Sequence, residues 1–172
     1  AGAVVAAGFG GNVERAEAYK AEMDAKHPGA MFSFLQGNIC DADDCRSVIK
    51  EVIDAHGQLE ILVNNAGIMN LAPIADMDSS VFERMLNINL LGSFNTMQQA
   101  AKHMVAGGRV INTSSSVTKL LQPTYGPYAA TKAAVEAMSV VFARELRGRS
   151  ITVNTVAPGP TASSLFLNGK TP

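Results

Sequence analysis

Residues 112–135 read NTSSSVTKLLQPTYGPYAATKAAV. The stretch ends a β-like run (Gly108, Arg109, Val110, Ile111), crosses a loop and opens a helix rich in alanine. Tyr128 and Lys132 stand four apart on that helix, so both side chains share one face. A phenol with an ordinary pKa of about 10 is a poor acid or base at neutral pH. A cation beside it favours the ionised form, and proton transfer becomes feasible. Ser115, thirteen residues before Tyr128, sits at the mouth of the strand, in position to hold a substrate oxygen beside the phenol. Alone, Tyr-x-x-x-Lys occurs by chance in many helices and a run of serines is often only a turn. Its weight comes from what surrounds it.

Before it stand LVNNAG at 62–67 and NINLLG at 87–92, and after it Pro158-Gly159. In this order and at these intervals, together with Ser115, Tyr128 and Lys132, these residues resemble the short-chain dehydrogenase/reductase family. The resemblance covers nearly the whole chain and implies a doubly wound parallel α/β sheet of the Rossmann type.

Composition agrees with a folded enzyme domain. The 172 residues suit one domain, 1–172, with a sizeable core. Apolar residues make up 47% and charged residues 17%, against disorder. A net charge of −1 without a basic run lacks the electrostatic footprint of a nucleic-acid or anionic-membrane partner. No apolar run reaches bilayer length, so the expectation is a soluble, cytoplasmic protein. Cys40 and Cys45 do not have metal or redox spacing and read as free thiols, and His27, His56 and His103 form no ligand cluster; no metal is expected.

Apolar runs at 3–7, 31–35, 59–65, 109–113 and 151–156 read as strands, and periodic segments at 13–26, 42–56, 79–106 and 127–147 as helices. Asp41 is a good N-cap for the second helix. The regular alternation predicts a parallel sheet with helices on both faces. In the family's strand order, 3-2-1-4-5-6-7, these strands would be numbers two to six. The expected glycine-rich turn that receives a cofactor diphosphate is absent from the sequence, since Gly8-Phe9-Gly10-Gly11 has the wrong position and spacing. The expectation is therefore that one further β-turn-helix unit, roughly 25–30 residues, lies upstream and that a strand and a helix follow Pro172. An intact mass of 18.1 kDa for the protein would contradict this.

The resemblance also implies roles. Tyr128 is the expected acid or base, Ser115 orients the substrate oxygen, and Lys132 lowers the phenol's pKa while reaching the nicotinamide ribose. Asn89, a poor helix former inside a predicted helix, is expected to disturb that helix and join a proton relay; Asn87 is its decoy, as Tyr125 is for Tyr128. Asn65, Ala66 and Gly67 would hold the cofactor at a strand end, Asn38 and Ile39 would flank its adenine, and Pro158, Gly159 and Thr161 would lie near the nicotinamide. Pro160 and Ser163 depart from the family pattern and weaken the assignment of Thr161. No acid ends the first strand, and Arg15 lies within reach of a 2′-phosphate, so NADP is expected over NAD; a merely solvated Arg15 is the alternative.

The substrate is expected to be a carbonyl compound or secondary alcohol bordered by Ile68, Met69, Leu71, Leu120, Leu121 and Pro123, with a lean toward 3-oxoacyl thioesters. Segments 79–106 and 127–147 would pair with those of a second copy in a homodimer or homotetramer. A non-catalytic nucleotide-binding regulator and an inert fragment are the competing readings.

Overall fold

The computed structural model describes residues 2–161. The alternation is present as β1 (Val5–Phe9), α1 (Val13–Lys26), β2 (Phe32–Gln36), α2 (Ala42–His56) and β3 (Leu59–Asn64), then α3 (Ser79–Leu86), a π-helical segment (Asn87–Leu91), α4 (Gly92–His103), β4 (Met104–Thr113), α5 (Val117–Leu120), α6 (Gly126–Glu145) and β5 (Thr152–Val156). All strand pairs are parallel. They form two sheets, β1–β2 and β3–β4–β5, with no hydrogen bonds between β1 and β3.

The core sits under the three-stranded sheet. Val110, fully buried, lies in register with Leu62 and Val153. Around it pack Ile49, Leu59, Met97, Ala100, Met104, Phe142, Leu146 and Ile151, contributed by α2, β3, α4, β4 and α6 and by the entry to β5. Each of these side chains other than Ala100, removed from water, contributes about 1.5–3 kcal/mol. The two-stranded half has much less: Ala16 is its one buried apolar residue, with Tyr19 of α1 edge-on to Phe34 of β2 at 6.2 Å. Between the halves the free edges carry exposed apolar residues, Val5 on β1 and Ile61 and Val63 on β3.

Local chemistry fixes the helix ends. Asn12 caps α1 by accepting from the Arg15 backbone N–H at 2.8 Å. Asp41 caps α2 through the N–H groups of Asp43 and Asp44, and Gly57 closes it in the left-handed region.

Several expected boundaries move. The first strand is 5–9 rather than 3–7, because Phe9 still pairs with Gln36 and its carbonyl accepts from Gly37 N–H. The helix expected over 79–106 is divided by the π segment and ends at His103, where the Arg149 guanidinium donates to the carbonyls of Ala101 and Met104. β4 accordingly starts at Met104, opposite Leu59, and not at Arg109. The ladder resumes at Ile61–Arg109, so Val105–Gly108 bulge out of it. Gly107 has φ +80°, and a Cβ on Gly108 would stand 2.6 Å from the Met104 thioether; the glycine pair belongs to the bulge rather than to a helix end. The last helix runs over Gly126–Glu145, shorter by two residues than expected at its C-terminal end.

Candidate active site

The carboxyl ends of β3, β4 and β5, the π segment and the first turns of α6 converge on Tyr128 and Lys132. Both residues are buried, on the face of α6 that meets the sheet. Lys132 Nζ lies 5.9 Å from the Tyr128 ring centroid and donates to the Thr113 carbonyl at 2.8 Å. Burial lowers the pKa of the ammonium. The phenol behaves differently from expectation. Burial raises its pKa, the hydrogen bond with the Ser115 hydroxyl works against that, and the proximity of Tyr125 adds to the rise. Lys132 donates to a carbonyl rather than to the phenol, and the Ser115 hydroxyl is the hydrogen-bond partner that favours the phenolate.

Ser115 is held by its neighbours. Ser114 N–H donates to the Val156 carbonyl at 2.8 Å and Ser116 N–H to the Pro158 carbonyl at 3.0 Å, tying the loop after β4 to the end of β5. Ser114 is buried and its hydroxyl is directed to Glu136, whereas Ser115 is half-buried and faces the phenol. Tyr125 is the N-cap residue of α6, half-buried and close enough to Tyr128 to raise its pKa.

Asn89 is fully buried in the π segment. Its Oδ1 accepts from the Ile68 N–H at 2.8 Å, and its Nδ2 donates to the Ile68 carbonyl at 2.9 Å and to Thr131 Oγ1 at 3.1 Å. A two-sided grip on the backbone of one residue in the loop after β3, its N–H and its carbonyl, is what an amide, donor and acceptor together, can supply. Asn87 is exposed. A Cβ added to Gly67 would stand 3.3 Å from both Asn89 Oδ1 and Lys132 Nζ, which locates these two groups just behind the Asn65–Gly67 ledge. Asn65 and Ala66 are exposed on that ledge. Asn64 turns inward instead: its Nδ2 donates to Asn112 Oδ1 at 2.8 Å, and its Oδ1 accepts from Thr96 at 2.7 Å.

The residues expected on the adenine side lie across α4. The Ile39 carbonyl accepts from Asn95 Nδ2 at 2.9 Å, and the Ile39 side chain packs against Gly92, where a Cβ would come within 2.5 Å of Ile39 Cδ1. Asn38 is exposed, its backbone N–H bound to Asp44. Arg15 is exposed on the first turn of α1, after the Gly10-Gly11 bend. Pro158 and Gly159 are exposed beside the Ser115 loop. The Thr161 hydroxyl donates to the Gly159 carbonyl at 3.3 Å, a local bond. Ser163 lies outside the described residues. Leu71, Leu120 and Leu121 are exposed, with Leu121 held at φ 47°, and the Ala72 N–H donates to the Thr124 carbonyl, joining the loop after β3 to the one before α6.

A concavity of about 490 Å³ runs from Glu136 along the second half of α6 and against β5, and neither Tyr128 nor Lys132 lines it. Three contributors had no motif to announce them: the Thr113 carbonyl, Thr131 and Glu136. Each is recruited by a partner distant in sequence; only the four-residue step from Lys132 to Glu136 was there to be noticed.

The parallel strands, flanking helices and this cluster define an α/β protein of dehydrogenase type, and comparison with known proteins gives the family. The family model for short chain dehydrogenases matches residues 1–170, and the chain belongs to that family. Among relatives, it is 40% identical over 163 residues to the 3-oxoacyl-(acyl-carrier-protein) reductase FabG of Staphylococcus aureus (strain N315), covering 94% of this chain and 65% of the relative. It is 39% identical over 156 residues to an NADPH-dependent aldehyde reductase-like chloroplastic protein of Arabidopsis thaliana, covering 88% and 57%. A short chain dehydrogenase from Burkholderia cenocepacia J2315, solved in complex with NADP, aligns with a TM-score of 0.87 at 34% identity, over 95% of this chain and 66% of that one. A dehydrogenase/reductase from Sinorhizobium meliloti 1021 aligns with a TM-score of 0.89 at 33% identity, over 95% and 65%. The chain thus spans about two thirds or less of these relatives. Among the described residues, no helix is long and apolar enough to cross a membrane.

Proposed function

We propose that the protein is an oxidoreductase that works with a nicotinamide cofactor, NADP in preference to NAD, on a carbonyl compound or secondary alcohol, with a 3-oxoacyl thioester as the leading substrate class. The observation that carries this reading is the buried phenol of Tyr128, hydrogen-bonded to Ser115 and backed by the Lys132 ammonium at the carboxyl edge of a parallel sheet.

The residues present fit the cofactor's nicotinamide-ribose side. Lys132 has three N–H groups, of which the Thr113 carbonyl takes one. The exposed backbone of Asn65-Ala66 lies in front of it, and a larger residue at position 67 would crowd this ammonium. Asn38, Ile39 and Arg15 would serve the adenosine side, and Pro158, Gly159 and Thr161 the nicotinamide. When bound, the cofactor supplies or accepts the hydride at the substrate carbon.

In the reducing direction, negative charge grows on the substrate oxygen, and Tyr128 gives its phenolic proton to that oxygen. Ser115 donates to the same oxygen and fixes its position. Lys132, with its ammonium 5.9 Å from the Tyr128 ring centroid, places a cation on the side of the phenolate that remains. Asn89 fixes the loop carrying Gly67 and Ile68, and through it the ledge in front of Lys132. In the oxidising direction the phenolate takes the hydroxyl proton. Leu71, Leu120 and Leu121 would meet the apolar part of the substrate. The NADP preference is supported by Arg15 and by the NADP-bound and NADPH-dependent relatives.

This reading takes the chain as one catalytic domain in a cytoplasmic enzyme. Exposed Leu91 and Phe94 on one helical unit, and Val140 and Val141 on α6, support association with a second copy as a homodimer or homotetramer. Sedimentation showing only monomer at micromolar concentration would remove that part.

The deciding experiment follows cofactor absorbance for NADPH and NADH against 3-oxoacyl thioesters, sugars, steroids and quinones, with Tyr128→Phe alongside. Turnover that requires Tyr128 supports the enzyme reading and ranks the substrates. Cofactor binding without turnover of any compound would replace it with the regulator.

A further inference from the structure

Glu136 stands one turn beyond Lys132 and two beyond Tyr128 on α6, yet its carboxylate is turned to the strand end. Its Oε1 accepts from Ser114 Oγ at 2.6 Å and lies 2.9 Å from Thr118 Oγ1. Thr118 Oγ1 is also 3.0 Å from the Ser115 carbonyl, so its single proton is shared between the two acceptors. Lys119 Nζ approaches Oε2 at 3.9 Å, and the Glu136 side chain is 26% exposed. The two hydroxyls that meet on one oxygen flank Ser115, at positions 114 and 118. The Ser114 hydroxyl, first among the influences, holds this carboxyl below its ordinary pKa, so it is ionised and a strong acceptor near neutral pH.

Resting on the oxidoreductase reading above, we propose that Glu136 is a positioning residue that sets the distance between Ser115 and Tyr128. Tyr128 and Glu136 lie on the same helix, and the helix is rigid over two turns. One element therefore carries the phenol directly and fixes the loop of its hydroxyl partner through a carboxylate. The loop's other ties are backbone bonds to the end of β5, at Val156 and Pro158, and the Lys132 bond to Thr113. None of them fixes the segment on both sides of Ser115 against α6. Without Glu136 the buried Ser114 hydroxyl loses its acceptor and turns toward another, which moves the adjoining Ser115.

The test is a double-mutant cycle on kcat, using Glu136→Ala and Ser115→Ala in the same protein, with Glu136→Gln as the conservative variant. Glu136→Ala is expected to lower kcat about tenfold with the KM for NADPH unchanged. Glu136→Gln, whose amide oxygen can accept both hydroxyls, recovers most of that loss. In the Ser115→Ala background, Glu136→Ala costs nothing further, because the group it positions is gone. If the losses multiply, or Gln is as poor as Ala, Glu136 does not act through Ser115 and the proposal falls. Should Glu136→Ala fail to fold, Ser114→Ala enters the same cycle with the same criterion. A wild-type protein indifferent to Tyr128→Phe and Ser115→Ala would instead overturn the oxidoreductase reading.

Discussion

The two halves of the molecule are built to different standards. Under β3–β4–β5 every layer contributes to one apolar cluster, and buried amides are paired. Asn112 bonds Asn64 and Ser139, and Asn89 bonds Ile68 and Thr131. No residue of β1, α1 or β2 enters that cluster. The two-stranded half is attached through α2 and through Ile39, whose carbonyl and side chain meet Asn95 and Gly92 of α4. Proton transfer needs groups fixed to within a fraction of an ångström, and the groups suited to it stand in the better-packed half. On the surface proposed for the nucleotide, Asn38, Asn65, Ala66, Pro158 and Gly159 are all exposed.

This contrast can be broken or sharpened by mutation. The largest effect is expected at Tyr128→Phe, which removes the proton donor and leaves the ring: kcat falls by about 10²–10⁴-fold, in the range of general acid catalysis. Thermal unfolding unchanged to within a few degrees would locate the loss in chemistry. Next comes Asn89→Ala, which strands an N–H and a carbonyl of Ile68. Urea unfolding should report a loss of about 2 kcal/mol, while Asn87→Ala, on the exposed side of the same segment, stays within about 0.5 kcal/mol. An equal cost at both positions would contradict the asymmetry of the π segment.

Gly92→Ala probes the junction of the halves. A methyl 2.5 Å from Ile39 Cδ1 must displace that residue, an overpacking effect of about 1–3 kcal/mol. The KM for NADPH should rise about tenfold with the carbonyl KM nearly constant, and equal rises would deny that Ile39 serves the nucleotide side. A subtler effect concerns pH. Reduction needs the protonated phenol and fades as pH rises through its pKa, which burial raises and the Ser115 hydrogen bond lowers. Removing that bond in Ser115→Ala should move the alkaline limb of kcat upward from that of the wild type, as seen in pH-rate profiles of the residual activity. The smallest change is expected at Arg15→Ala: the ratio of kcat/KM for NADPH over NADH falls a few-fold, and an unchanged ratio would leave Arg15 a solvated helix residue.

Much of this architecture was legible in the sequence because it is local or periodic. Alternating apolar runs gave the order of elements, Asp41 gave the start of α2, and four- and thirteen-residue intervals brought the Tyr128, Lys132 and Ser115 positions together. An amide in the middle of a helical pattern flagged Asn89. What was missed depends on partners far along the chain. Met104-Val105-Ala106 reads as helix by composition, but Met104 is drawn into a strand opposite Leu59 and the helix is closed by Arg149. Glu136 looks like a solvated i, i+4 partner of Lys132 until β4 brings Ser114 to it. The phenol's raised pKa depends on how deeply the site is buried, which no spacing reveals.

The π segment at Asn87–Leu91 also acts as a phase shifter. Successive residues of an α-helix are rotated by about 100°, so the wide turn sets the angular offset between α3 and the helix after it. Upstream, Met85 meets the loop at Asn70; downstream, Asn95, Thr96 and Met97 are aimed at Ile39, Asn64 and Asn112. Wound as an ordinary α-helix with the same residues, the segment would turn everything after it by about 100°, swinging every one of those downstream contacts off target; the wide turn absorbs the surplus residue instead. At this place in the chain, a more regular helix would make a worse protein.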